Sequence, residues 1–132
     1  MKLSKHTDVL LSKYNDLVNQ GKIESNQLQI NLLASLSAID EKRHFWRMNN
    51  KKGAYLYGEV GRGKSMIMDL FYENSLITKK RRVHFNEFMQ EIHKFLHEMS
   101  KLKNPIQVFA KKICKNYSLL CLDEMQVYDI GD

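Results

Sequence analysis

The sequence predicts an α/β fold, a parallel sheet flanked by helices and preceded by a small helical segment. Three observations carry the prediction. Gly58-Glu59-Val60-Gly61-Arg62-Gly63-Lys64-Ser65 fits the pattern GxxxxGK[ST]. Two glycines, a lysine and a Ser/Thr at that spacing should arise in under roughly 1% of unrelated chains this long. An apolar run, Tyr117-Ser118-Leu119-Leu120-Cys121-Leu122, ends in Asp123-Glu124. Between the two, strand-like and helix-like stretches alternate, as a parallel sheet with helical crossovers requires.

The elements follow in order. Val9, Leu10, Tyr14, Leu17 and Val18 fit one face of a first helix, and Gly21 is a credible stop. A second helix is expected from about Ser25, with Leu28, Leu32, Leu33, Leu36 and Ile39 at helical spacing. It frays among Lys42, Arg43 and Arg47 and ends in the turn-forming Asn49-Asn50-Lys51-Lys52. Gly53-Ala54-Tyr55-Leu56-Tyr57 reads as a short buried strand, and residues 64–75 as a helix burying Ile67, Leu70 and Phe71. Arg82-Val83-His84-Phe85 reads as a second strand. Asn86 is placed to cap a helix whose Phe88, Ile92, Phe95, Leu96 and Met99 share a face. In Asn104-Pro105 the asparagine suits a cap and the proline a first helical turn, opening a helix through Val108, Ile113 and Cys114 that leads to the acidic strand. The expected organisation is a helical segment over 1–50 and a partial ATPase core over 51–132.

The chemistry explains the spacing. Polyphosphate carries several negative charges, so Gly58, Gly61 and Gly63 let the backbone turn tightly and aim successive N–H groups inward, while the helix N-terminus adds partial positive charge. Glu59, Val60 and Arg62 complete the loop that would hold the polyphosphate. Lys64 is placed to reach the β- and γ-phosphates, and the Ser65 hydroxyl to ligate their magnesium. An ordinary Gly-rich turn with a surface lysine is the alternative. The acidic run alone is as well explained by a buried strand leaving the core. Downstream of a phosphate loop, however, Asp123 at a strand's carboxyl end can hold magnesium through water, and Glu124 can orient or deprotonate attacking water. Glu124 and Lys64 are thus the candidate catalytic residues, and the acidic pair suggests hydrolysis rather than transfer to a small molecule.

Composition sets outer bounds. A chain of 132 residues, 43% hydrophobic and 27% charged, suits one soluble domain with a real core, and no apolar segment is long enough to span a membrane. Met1-Lys2-Leu3-Ser4-Lys5-His6-Thr7-Asp8 lacks the apolar core of a signal peptide, so the cytoplasm is the expected compartment. Cys114 and Cys121 make a disulfide scaffold implausible, and Cys121 reads as a small core residue. His93 and His97, four apart on a helix, have no evident third metal ligand and read as a solvated face. The net charge of +6 permits contact with anionic partners without establishing it. Its densest patch, Lys79-Lys80-Arg81-Arg82, falls just before the expected strand and reads as a solvated turn.

Several blocks together resemble the ZapE/AFG-type ATPases, which are related to the AAA+ proteins. They are residues 53–66, Val83-His84-Phe85-Asn86-Glu87-Phe88-Met89, Asn104-Pro105-Ile106, and Leu122-Asp123-Glu124-Met125-Gln126-Val127-Tyr128-Asp129-Ile130. Tyr14-Asn15-Asp16-Leu17-Val18, with Gln27 downstream, looks like that family's opening segment. The resemblance implies an AAA+-like core and magnesium-dependent ATP hydrolysis driving work on a protein partner. Bacterial members are tied to the division apparatus, making a division-ring component one expected substrate, and mitochondrial relatives to protein quality control. It also implies ATP at 58–65, magnesium at Ser65 and Asp123, and catalysis by Glu124. His84 and Phe88 match a family block that strand-on-helix packing explains equally well.

The resemblance implies that a sensor strand and an arginine finger follow the segment corresponding to Asp132, so they are expected outside these 132 residues. The sensor strand inserts between the loop strand and the acidic strand, so the expectation is an incomplete sheet. A homo-oligomer or a complementing carboxyl-terminal half is then the expected assembly. Two other functions stay open: nucleotide binding without turnover, and a nucleic-acid-associated AAA+ protein such as a helicase loader. The His84 and Pro105 blocks argue against the latter, so nucleic acid is not the expected partner.

Overall fold

The computed structural model describes residues 4–46, 53–55 and 63–125, which group into two compact units, Met1–Ile77 and Thr78–Asp132. Among the described residues the order is α1 (Lys5–Asn19), α2 (Gln27–Trp46), α3 (Lys64–Asn74), β1 (Lys80–His84), α4 (Phe85–Glu98), α5 (Pro105–Asn116) and β2 (Leu119–Asp123). The architecture is mixed α/β with a parallel strand pair, as expected.

The first unit packs α1, α2 and α3 together. Ser4 caps α1 by accepting the Thr7 N–H at 3.2 Å, and the Thr7 hydroxyl donates to Ser37 on α2 at 2.9 Å. At the other end Gly21 adopts φ 71°, its N–H bonding the Val18 carbonyl while the Lys22 N–H bonds that of Leu17. This is the Schellman arrangement, which satisfies two orphan carbonyls and favours glycine at its left-handed position. Asn26 opens α2 by accepting the Leu28 N–H at 2.8 Å on its side chain, one residue after the expected Ser25.

Leu10, Tyr14, Leu33, Leu36, Ile67, Leu70, Phe71 and Ile77 are buried. Burying each large apolar side chain stabilises by about 1.5–3 kcal/mol relative to leaving it in water. The α3 face matches its sequence prediction residue for residue. Val9 and Leu28 do not: both are exposed, because the stripe on α1 runs through Thr7, Leu10 and Tyr14, and Leu28 lies in the first turn of α2 ahead of the packed face.

A buried carboxylate ties the end of α3 to α2. Asp40 is 1% exposed; its Oδ2 accepts the Leu76 N–H at 2.7 Å and its Oδ1 accepts the Ser75 hydroxyl, whose oxygen takes the Ile77 N–H at 3.1 Å. His6 Nε2 lies 3.1 Å from Oδ2 but is misaligned for a hydrogen bond, so it contributes Coulomb attraction only when the ring is protonated.

Gly53, Ala54 and Tyr55 belong to no strand, contrary to expectation, and the remainder of that segment lies outside the described residues. A strand exists through its ladder, and among the described residues only β1 and β2 pair.

In the second unit β1 and β2 run parallel with Lys80 opposite Leu119 and His84 opposite Asp123. Val83, Cys121 and Phe109 are buried, and the Phe109 ring meets Phe88 at 5.8 Å and Phe95 at 5.3 Å between centroids, both tilted. Two sequence expectations shift here. The strand starts at Lys80 and ends at His84, since the five-residue partner sets the ladder's length; Phe85 therefore opens α4, and Asn86 lies inside it rather than at the cap. Helix α5 runs through Val108, Ile113 and Cys114 as expected, burying Phe109 and half-burying Ile113 while Val108 and Cys114 are exposed. Asn104 does occupy the cap position, by virtue of its left-handed backbone (φ 58°) rather than a side-chain bond.

The basic patch is also reassigned, because three of its four residues lie in β1 and its arginines are paired. Arg81 makes a two-pronged bond to Glu91 on α4, one arm at 3.0 Å, with its guanidinium 5.9 Å from the Tyr117 ring centroid. That hydrogen bonding holds the Glu91 carboxyl below its ordinary pKa and raises that of Arg81, which stays charged regardless. A depressed carboxylate pKa contributes stability that is present above the unfolded-state value and lost as pH falls through the folded one. Acid titration followed by urea unfolding should therefore show stability falling below about pH 4, and Glu91→Gln should flatten part of that fall. The partial exposure of Glu91 limits the effect to under about 1 kcal/mol. An identical acid limb in the variant would show the pair to be energetically idle.

Candidate functional site

Gly63 is where the phosphate-loop motif enters α3. It takes φ 75° and ψ 19° at the cap, a left-handed conformation that glycine adopts without steric cost. Its carbonyl accepts the Ile67 N–H at 3.0 Å, closing the first helical turn, and no side chain caps the helix. The amides that start α3 therefore carry no side-chain cap, with Lys64 half-buried and Ser65 exposed as its first two residues. The other motif residues, Gly58, Glu59, Val60, Gly61 and Arg62, lie outside the described residues.

The acidic pair is placed by β2. Asp123 is its last residue, and Glu124 follows with φ 53°. A glutamate in the left-handed region carries a strain of about 1–2 kcal/mol, and here the turn ends the strand with the Glu124 side chain exposed. Asp123 is more enclosed. Arg82 Nε, diagonal to it across the parallel pair, donates to Asp123 Oδ2 at 2.6 Å. His84, directly opposite Asp123, puts Nδ1 3.6 Å from Glu124 Oε2. Arg82, His84, Asp123 and Glu124 thus form one charged cluster at the carboxyl end of the strand pair.

Arg82 is the cluster member that the sequence did not single out. Its basic neighbours offered no distinguishing signal, and only the ladder register brings it to Asp123. His93 and His97 lie exposed on α4, and among the described residues no group of three or more His, Cys, Asp or Glu side chains is arranged to hold a metal ion. The hydroxyl of Ser65 and the carboxylate of Asp123 are hard oxygen donors, the chemistry magnesium selects when substrate phosphates and water complete its shell.

A Gly-Lys-Ser turn opening a helix and an Asp-Glu pair closing a parallel strand are the pattern that phosphate-loop nucleoside-triphosphatases share. The family model for "AFG1-like ATPase" matches residues 5–132. The chain belongs to the AFG1-like ATPase family. It is 36% identical over 104 residues to lactation elevated protein 1 homolog B of Danio rerio, covering 70% of this chain and 21% of that protein. It is 35% identical over 101 residues to cell division protein ZapE of Escherichia coli, covering 76% of this chain and 27% of the relative. An uncharacterized protein of Schizosaccharomyces pombe is 41% identical over 87 residues, 61% of this chain and 19% of its own length. The chain thus spans about a fifth to a quarter of the curated relatives it matches. No solved structure matches it significantly.

Proposed function

We propose that this chain supplies the nucleotide-binding part of a magnesium-dependent ATPase that does work on a protein partner. The observation that carries the reading is the uncapped, glycine-initiated start of α3 beneath a complete phosphate-loop motif, in a chain of an ATPase family. Residues 58–65 bind ATP, with the Lys64 ammonium as a point charge for the β- and γ-phosphates. Ser65 and Asp123 are the magnesium residues; the bound ion would neutralise developing charge on the phosphate oxygens. Glu124 takes the proton of the attacking water, and its exposed position leaves the carboxylate accessible to that water. Arg82 restrains the Asp123 carboxylate through its 2.6 Å bond. The Escherichia coli relative is a cell division protein, and a component of the division apparatus is the protein substrate we infer. No helix among the described residues is long and apolar enough to cross a membrane.

Glu124→Gln tests the assignment, because the amide keeps the shape and removes the base. ATP binding by calorimetry should be retained while phosphate release falls by roughly 10²-fold or more, the usual scale for losing a general base. Equal turnover by the two forms would remove Glu124 from the mechanism. Binding without turnover in the wild-type chain would favour the nucleotide-binding module over the ATPase.

A further inference from the structure

The polar side chains at the junction of α1 and α2 converge on Gly63. Tyr14 is fully buried, yet its hydroxyl is satisfied twice, accepting the Asn26 N–H at 3.0 Å and donating to Gln29 Oε1 at 2.7 Å. Asn26 is itself fixed, since its side-chain oxygen caps α2. With Oε1 engaged by Tyr14, the other arm of the Gln29 carboxamide is directed at the start of α3. A Cβ built on Gly63 would stand 2.7 Å from Gln29 Nε2 and 3.7 Å from its Cδ. Glycine at 63 is favoured by its left-handed backbone, and a Cβ there would also force the Gln29 carboxamide out of its place beside Tyr14. A glutamine serving only to join two helices has no reason to lie against the one residue whose conformation aims the α3 amides.

We propose that Gln29 is a positioning residue for the phosphate-binding turn: held by Tyr14, its carboxamide braces Gly63 in the left-handed conformation that presents the α3 amides to phosphate. The inference rests on residues 58–65 being the nucleotide site. Preorganising a cradle strengthens binding by removing the cost of ordering it, so the effect belongs in nucleotide affinity rather than in the chemical step. By linkage, nucleotide must also stabilise the brace.

Calorimetry with ATP and ADP on the wild-type chain, Gln29→Ala, Tyr14→Phe, the double variant and Lys64→Ala tests this. Gln29→Ala should raise both dissociation constants about tenfold, a coupling of ordinary size. Tyr14→Phe, which keeps the ring and releases the amide oxygen, should raise them about threefold. The double variant should match Gln29→Ala alone, because the tyrosine acts through the glutamine. A folded Gln29→Ala chain that binds within twofold of wild type overturns the inference while leaving the nucleotide site intact. Wild-type protein that binds no nucleotide, or binds it as well when Lys64 is lost, overturns the underlying site assignment and the inference with it. Should Gln29→Ala fail to fold, amide exchange on the wild type decides: ADP should slow exchange at Asn26 and the first turn of α2, and unchanged exchange there overturns the brace.

Discussion

Lys64→Ala is expected to weaken Mg-ATP binding by about two orders of magnitude, as the loss of two charge-assisted hydrogen bonds of about 1.5 kcal/mol each would do. Lys64 is the first residue of α3, so its backbone amide belongs to the cradle whatever its side chain. Alanine preserves the helix and that amide, and removes only the cation aimed at the β- and γ-phosphates. Titration of ATP with magnesium present gives the measurement. Raising ionic strength should shrink the difference between the two forms, since the missing interaction is one of charge. Unchanged affinity would mean that Gly63-Lys64-Ser65 is an ordinary helix entry and the phosphate-loop assignment is wrong.

Asp40→Ala should cost about 3 kcal/mol or more of stability in urea unfolding. The carboxylate is nearly inaccessible and holds two groups of one turn, the Ser75 hydroxyl and the Leu76 N–H, with His6 of α1 close by. Truncation leaves both as half-buried polar groups with their main acceptor gone, which is more costly than removing a satisfied pair together. Asp40→Asn keeps the volume and one acceptor oxygen and should lose less. A loss under about 1 kcal/mol in the alanine variant would show that water replaces the carboxylate and that the turn after α3 is not anchored by it.

Local chemistry was legible wherever a residue type has one strong structural use. Gly21 stops α1, Asn104-Pro105 opens α5, and Ile67, Leu70 and Phe71 form the inner face of α3, all as the sequence indicated. Phase was less legible, because a helical repeat fixes which residues share a face but not which face is covered. Val9 and Leu28 therefore emerged exposed. Ladder ends were displaced for a similar reason: Lys80 and Phe85 change class according to where β2 begins and stops. At the candidate site, Lys64, Ser65, Asp123 and Glu124 are visible from motif spacing alone. Arg82 and Gln29 are not, since one depends on the register of a parallel pair and the other on how α2 lies along α3.

That last arrangement has a mechanical consequence. Helix α2 touches the beginning of α3 through Gln29 and the turn beyond its end through Asp40, and the two grips are three helical turns, about 16 Å, apart on α2. A single grip would act as a pivot about which α3 could tilt or slide. Contacts at both ends make α2 a splint: sliding α3 along its axis breaks the Asp40 hydrogen bonds at one end or drives Gly63 against the Gln29 carboxamide at the other.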